Sequence, residues 1–305
     1  MPDTTSTSQR GGAWTTRRLL AWMGEAFTER GLDSPRLCAE MLLAHVLGCK
    51  RLSLYVDADR PATPIERETL RGLVSRALKH EPIQYLIGEG WFFGLPFSVD
   101  RRVLIPRPSS EGIVEHVLQH ARVSPGFERG LIADVCTGSG CLGIAIARNL
   151  KGARVVLTDL SRDALEVAAH NADRHGVRER VSLLEGDLLD PLRAHNEVRA
   201  SGGLHALIAN PPYIPDHEWA SVEANVKDHE PESALRGGED GMRFVAALIE
   251  GGPELLRGGG QLLIEFAACT RDEVLRRARG HELLTDARVM DDLDGLPRVL
   301  VATRR

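Results

Sequence analysis

From about residue 130 onward the chain alternates short apolar runs with longer amphipathic ones, and this rhythm limits the fold more than any other feature. Leu131-Ile132-Ala133, Val155-Val156-Leu157, Val181-Ser182-Leu183-Leu184, Ala206-Leu207-Ile208, Gln261-Leu262-Leu263-Ile264-Glu265 and Val299-Leu300-Val301 are of strand length. Helical patterns fall between them at about 142–150, 164–175, 241–249 and 271–279. Strands separated by helices predict an α/β domain with a doubly wound, mostly parallel, Rossmann-like sheet and right-handed crossovers.

The first part of the chain reads differently. Residues 1–12 are rich in Ser, Thr and Gly and are expected to form a disordered tail. From about residue 15 to 86 the pattern is helical, with Leu19, Leu20, Met23 and Phe27 at three- and four-residue spacing. Ser34-Pro35 and Thr63-Pro64 each read as a cap followed by a first-turn proline. Trp91-Phe92-Phe93-Gly94-Leu95-Pro96-Phe97 then predicts a β-hairpin whose aromatics serve core packing. A proline-framed segment, Pro106-Arg107-Pro108, leads into a helix at about 110–121.

Two places along the sheet carry chemistry. The strand at 204–209 stops on Asn210-Pro211-Pro212-Tyr213. Two prolines cannot extend a central strand, since neither donates an N–H, so the chain leaves at the C-terminal edge, where such sheets bind ligands. There the Asn210 carboxamide oxygen and the Pro211 carbonyl would accept two N–H bonds from a planar amino group, with Tyr213 packed on its face. The first strand runs into Asp134-Val135-Cys136-Thr137-Gly138-Ser139-Gly140-Cys141-Leu142-Gly143, a glycine turn at a strand-to-helix junction. Glycines at that junction admit a ligand close to the backbone. Asp134, Asp159 and Asp187 lie at successive strand ends. Three acids suit a ligand bearing an ammonium, a ribose and an adenine amino group better than one bearing a pyrophosphate. S-adenosylmethionine has all three and no phosphate, and Asp159 is placed for its ribose hydroxyls.

Composition narrows the partners. A net charge of −5 does not favour a nucleic-acid platform. The five cysteines show neither C-x-x-C nor zinc spacing, which points to reduced thiols in a cytoplasmic protein and to no metal site. No signal peptide, membrane span or internal repeat is expected.

Taken together, these residues resemble the class I methyltransferase fold and, within it, the protein N5-glutamine methyltransferases. The helical N-terminal part, Pro106-Arg107-Pro108, the 134–140 turn, Asn210-Pro211-Pro212-Tyr213, His229-Glu230-Pro231-Glu232 and Gly237-Gly238-Glu239-Asp240-Gly241 occur in the family's order. The resemblance implies methyl transfer from S-adenosylmethionine to the side-chain nitrogen of a protein glutamine. The implied substrate is the Gly-Gly-Gln loop of peptide-chain release factors, and the implied enzyme is a monomer. The implied cofactor contacts are Cys136, Thr137, Gly138, Ser139, Gly140, Asp159, Asp187, Leu188 and Asn210, with Asn210, Pro211, Pro212 and Tyr213 toward the substrate. The expected division is a tail at 1–12, a helical recognition domain at 13–88, a hairpin linker at 89–108 and the methyltransferase domain at 109–305. Two departures bear on the substrate. Ser109-Ser110 stands where an acidic residue and Thr are usual, and Cys136 stands where Gly is usual. They keep open a large-subunit ribosomal protein as substrate. Adenine methylation, a nicotinamide oxidoreductase and a non-catalytic module are the remaining alternatives.

Overall fold

The central strand-length runs pair into one sheet because their side chains are apolar on both faces. In the computed structural model, which describes residues 13–305, the chain divides into two compact units, one ending at Ile87 and one running from Gly88 to Arg305. The expected tail at 1–12 lies outside the described residues.

The first unit is helical: α1 (Thr16–Arg30), α2 (Pro35–Leu47), α3 (Ser53–Val56), α4 (Pro64–Ala77) and α5 (Ile83–Ile87). Met23, Phe27, Leu42 and Leu43 are fully buried at its centre. Thr63 closes a capping box with Glu66 at the start of α4, and Gly31 and Gly48 end α1 and α2 in the left-handed conformation. Ser34 departs from the expected cap. Its backbone is itself left-handed (φ 49°) and its hydroxyl makes no capping bond; Pro35 has no N–H to offer and starts the helix by its fixed φ alone.

The second unit opens with the hairpin β1 (Glu89–Phe92) and β2 (Leu95–Ser98). Its turn residues Phe93 and Gly94 both have positive φ, the geometry that matches strand twist in a two-residue loop. Phe92 and Phe97 are buried, edge to face at 6.3 Å, whereas Trp91 is exposed. The chain continues through α6 (Glu111–Val123), β3 (Leu131–Val135), α7 (Cys141–Asn149), β4 (Arg154–Asp159), α8 (Arg162–Arg174) and β5 (Val181–Glu185). Then come α9 (Asp190–Ala194), α10 (Asn196–Ala200), β6 (Leu204–Ala209), α11 (Ala224–Lys227), α12 (Arg243–Leu255) and β7 (Leu256–Glu265). The last elements are α13 (Arg271–Gly280), β8 (Leu284–Asp291) and β9 (Pro297–Arg304).

The strand order is β5-β4-β3-β6-β7-β9-β8. Pairs from β5 through β7 are parallel, and β9 and β8 add antiparallel. Side chains alternate between two cores. Ile132, Val155, Leu157 and Ile208 pack on the face covered by α6, α7 and α8; Ala133, Val156, Leu207 and Ile264 pack on the face covered by α12 and α13. β8 was not expected from its sequence, because as the edge strand it alternates exposed and half-buried residues and has no apolar run.

The order reverses between β3 and β6, which opens a crevice at their C-terminal ends. Register fixes what stands there. Val135 pairs with Thr158 and with Ala209, and Ala209 pairs with Ile264. The next residue on each strand is therefore Cys136, Asp159, Asn210 or Glu265, which form one row across the edge.

α7 can approach the sheet this closely only because position 143 lacks a side chain. A Cβ there would collide with Leu157 and stand 2.9 Å from Val155 Cγ1. Gly143→Ala should therefore cost about 1–3 kcal/mol of stability, read from denaturant unfolding. Unchanged stability would mean that α7 is free to lift from the sheet.

Candidate active site

The C-terminal edge row opens into a cavity of about 420 Å³, within the usual size range of small-molecule sites. Of the residues expected for the cofactor, Cys136, Thr137, Gly138, Ser139, Asp159, Asp187, Leu188 and Asn210 line it. Pro212 lines it as well.

The glycine turn is built from the backbone outward. Gly138 and Gly140 have φ of 53° and 80°; a Cβ on Gly138 would meet nothing within 4 Å, whereas one on Gly140 would stand 2.7 Å from Ile144 Cδ1, so Gly140 packs inward and is not on the cavity wall. Cys136 takes φ 59° and Leu188 φ 43°, a conformation costly for side chains with a Cβ. Both are on the cavity wall. Burial, reinforced by Asp159, Asp134 and Asp187, pushes the Cys136 thiol far above its ordinary range, so it stands as a neutral thiol.

Asp159 ends β4 with both carboxylate oxygens anchored. Oδ2 accepts from Gly138 N–H at 2.9 Å and Oδ1 from Ser161 N–H at 2.9 Å. Each oxygen keeps a lone pair for a further donor. Burial holds its carboxyl above the usual range, while these backbone donors oppose the shift.

Asp134 is a correction. It is fully buried behind the turn and is not part of the cavity wall. Its Oδ2 accepts from Thr137 Oγ1 at 2.6 Å and from Gly143 N–H at 3.0 Å, so it braces the turn. Oδ1 is buried without a hydrogen-bond partner. Burial pushes its carboxyl up to about 7.

Asn210 leaves β6 just beyond the last ladder pair, Ala209 with Ile264. Its Nδ2 donates to Ser110 Oγ at 3.1 Å. Ser110 Oγ donates at 2.5 Å to Glu265 Oε2, and Tyr213 Oη donates at 2.9 Å to Glu265 Oε1. Tyr213 is the second correction. Its phenol is turned to Glu265 and it does not line the cavity, so it supports the site from behind. Pro211 is buried and off the wall as well. Pro212 and Phe244, the latter not singled out by the sequence, add apolar surface to the cavity wall. Burial raises the Glu265 carboxyl, opposed by the two hydroxyls and by Arg298 and Arg107.

The other motifs brace this edge. Glu230 has a buried carboxylate that accepts from Ile105 N–H at 3.0 Å and pairs with Arg107 at 2.5 Å. It thereby fastens the Pro106-Arg107-Pro108 segment to the wall. The Gly237–Gly241 loop lies backbone to backbone on residue 213: Gly237 N–H donates to Ile214 O at 2.8 Å, and a Cβ on Gly237 would stand 2.7 Å from Tyr213 Cα. Asn171 of α8 is another residue that sequence reasoning missed. Its Oδ1 accepts from Ser98 N–H at 2.8 Å, and its Nδ2 donates to Ser98 O and Ser139 O at 3.0 and 2.9 Å. One amide thus joins the hairpin to the glycine turn.

A glycine turn, an anchored carboxylate and an amide thus meet at the crevice of a doubly wound sheet, an arrangement of the methyltransferase class. Comparison with known proteins agrees. A methyltransferase small domain model matches residues 110–228, and a PrmC N-terminal domain model matches residues 18–88. A release factor glutamine methyltransferase of Chlorobaculum tepidum is 42% identical over 289 residues, covering 94% of this chain and 96% of that one. One of Geobacter sulfurreducens is 38% identical over 262 residues, covering 86% and 87%. Among solved structures, the hMettl16 catalytic domain in complex with MAT2A 3′UTR hairpin 6 shares the fold at 13% identity, with a TM-score of 0.50 over 70% of this chain and 76% of that one. The chain belongs to the release factor glutamine methyltransferase family. It is an S-adenosylmethionine-dependent methyltransferase.

The Asp134 carboxyl gives a test of the turn. Folded, it keeps its proton up to about 7; unfolded, it loses it near pH 4. Between those limits the folded state binds more protons, so Asp134 removes stability as pH rises and then levels off. Asp134→Asn should therefore gain stability relative to the parent as pH rises from about 4 to about 7 in urea unfolding, with no further gain above that. A difference that does not change with pH would show that Asp134 is not titrating there.

Proposed function

We propose that this enzyme transfers a methyl group to the side-chain amide nitrogen of the glutamine in the Gly-Gly-Gln loop of peptide-chain release factors. The observation that carries this reading is the orientation of Asn210. Its NH2 end is committed to Ser110, so the carbonyl end is the one an incoming amide N–H would meet. The Pro211 carbonyl lies beyond the β6 ladder and would serve as the second acceptor.

The residues fit the cofactor. Asp159 would take the ribose hydroxyls, Asp187 and Leu188 the adenine end, and the 136–140 turn the aminoacyl end. When bound, S-adenosylmethionine supplies a methyl group made electrophilic by the adjoining sulfonium. The protein's part is orientation. An amide nitrogen is a weak nucleophile because its lone pair is delocalised into the carbonyl. Two acceptors, Asn210 Oδ1 and Pro211 O, fix both N–H bonds and direct that lone pair toward the cavity. Both hydrogen bonds strengthen as the nitrogen gains positive charge, which favours the transition state over the ground state. Holding the two reacting groups in contact supplies much of the remaining rate. No side chain needs to act as general base, because the methylated nitrogen becomes strongly acidic.

A cytoplasmic location and a monomeric state belong to the same reading. No helix among the described residues is long and apolar enough to cross a membrane.

Labelled S-adenosylmethionine, offered with a release factor and with its Gln→Ala variant, tests the substrate. Label should appear on the parent factor and vanish in the variant. Label on a large-subunit ribosomal protein instead would move specificity to Cys136 and the Ser109-Ser110 pair. Asn210→Ala should lower kcat by about 10²–10³-fold with cofactor binding kept; near-normal turnover would remove the clamp.

A further inference from the structure

Asn210 does not choose its own orientation. A carboxamide presents nearly the same shape with oxygen and nitrogen exchanged, so a cavity wall alone would leave either end forward. What distinguishes the two is the polarity of the group behind it. Glu265 is fully buried at the end of β7, on the same edge row as Asn210, and it touches two hydroxyls. Each of its oxygens receives one hydroxyl donor, and Arg298 and Arg107 favour its charged form, so it stands as the acceptor of both bonds. Ser110 is buried as well and has a single proton, which goes to Glu265 Oε2. The serine oxygen then has only lone pairs left to offer, and Asn210 answers with its NH2 group at 3.1 Å. Turning the amide over would set oxygen against oxygen, or would take the serine proton away from a buried carboxylate, either of which is costly. Tyr213 donates to the other oxygen of Glu265 and holds the carboxylate in place.

We infer that Glu265 and Ser110 form a polarity relay that holds the Asn210 carbonyl oxygen toward the substrate amide, so that both are positioning residues for methyl transfer. The inference rests on the reading of Asn210 as the amide acceptor and adds the groups that make it one. It also gives a reason for the last residue of the Asn-Pro-Pro-Tyr motif. Tyr213 acts through Glu265, from outside the cavity.

The test is steady-state methyl transfer to the release factor, with calorimetric titration of S-adenosylmethionine as the check that each variant is folded and its cofactor site intact. Ser110→Ala should lower kcat by about 10–10²-fold through misorientation of the amide while the cofactor Kd stays within about twofold. Ser110→Thr, which keeps the hydroxyl, should recover most of the rate. A stricter variant reverses the polarity. N210D places a carboxylate on the near side of Ser110, which then has acceptors on both sides and one proton. Adding E265Q supplies a donor on the far side and frees the serine proton for residue 210. The double variant N210D/E265Q should exceed N210D in kcat by about tenfold, within the coupling found between members of one network.

Two results overturn the relay: Ser110→Ala with parental kcat, or N210D/E265Q no faster than N210D although it binds cofactor normally. These are separable from failure of the clamp. Asn210→Ala with near-normal turnover would remove the clamp and the relay together. Asn210→Ala without turnover beside a fully active Ser110→Ala would remove only the relay.

Discussion

Parallel register is the constraint on which the site depends. Four neighbouring strands, β4, β3, β6 and β7, are locked so that Thr158, Val135, Ala209 and Ile264 stand in one row. Backbone hydrogen bonds set that row, and a slip of one residue would turn every side chain to the opposite face. The residues one step further, Asp159, Cys136, Asn210 and Glu265, inherit their spacing from it. Asp159 and Asn210 line the cavity, Cys136 carries a strained turn, and Glu265 anchors the support behind. Chain segments more than a hundred residues apart thereby reach a common site.

Around this row the remaining motifs act as fasteners. Arg107 and Glu230 hold the proline-framed segment, and the Gly237–Gly241 loop presses its backbone on Tyr213 and Ile214. Glycine is required in that loop by contact: a Cβ on Gly241 would run into the Tyr213 carbonyl oxygen. The glycines of this motif serve as spacers that let two loops touch.

What could be read from sequence was what local pattern controls. The glycine turn, the strand cut short by Pro211-Pro212 and the helix–strand rhythm all depend on residues close together in the chain, and each is present. Residues whose role comes from tertiary register were not legible. Glu265 reads as the polar end of an apolar run, Asn171 as one more amide on a helix, and Ser110 as a helix start. Asp134 and Tyr213 were read as facing the ligand because burial direction cannot be told at a strand end. β8 was missed because half of an edge strand is wetted and reads as polar, and α9 and α10 are too short to show a period.

The amide of Asn171 carries a consequence for how the molecule tolerates damage. It holds Ser98 of the hairpin with one end and serves both Ser98 and Ser139 with the other, so the hairpin and the cavity wall share a single fastening. Neither can loosen without releasing a buried polar group on the other. A lesion in the hairpin that displaces Ser98 would leave the Asn171 amide short of partners where it braces the turn at Ser139. In the other direction, a ligand that steadies the turn lends part of its binding energy to the hairpin's seat on the sheet.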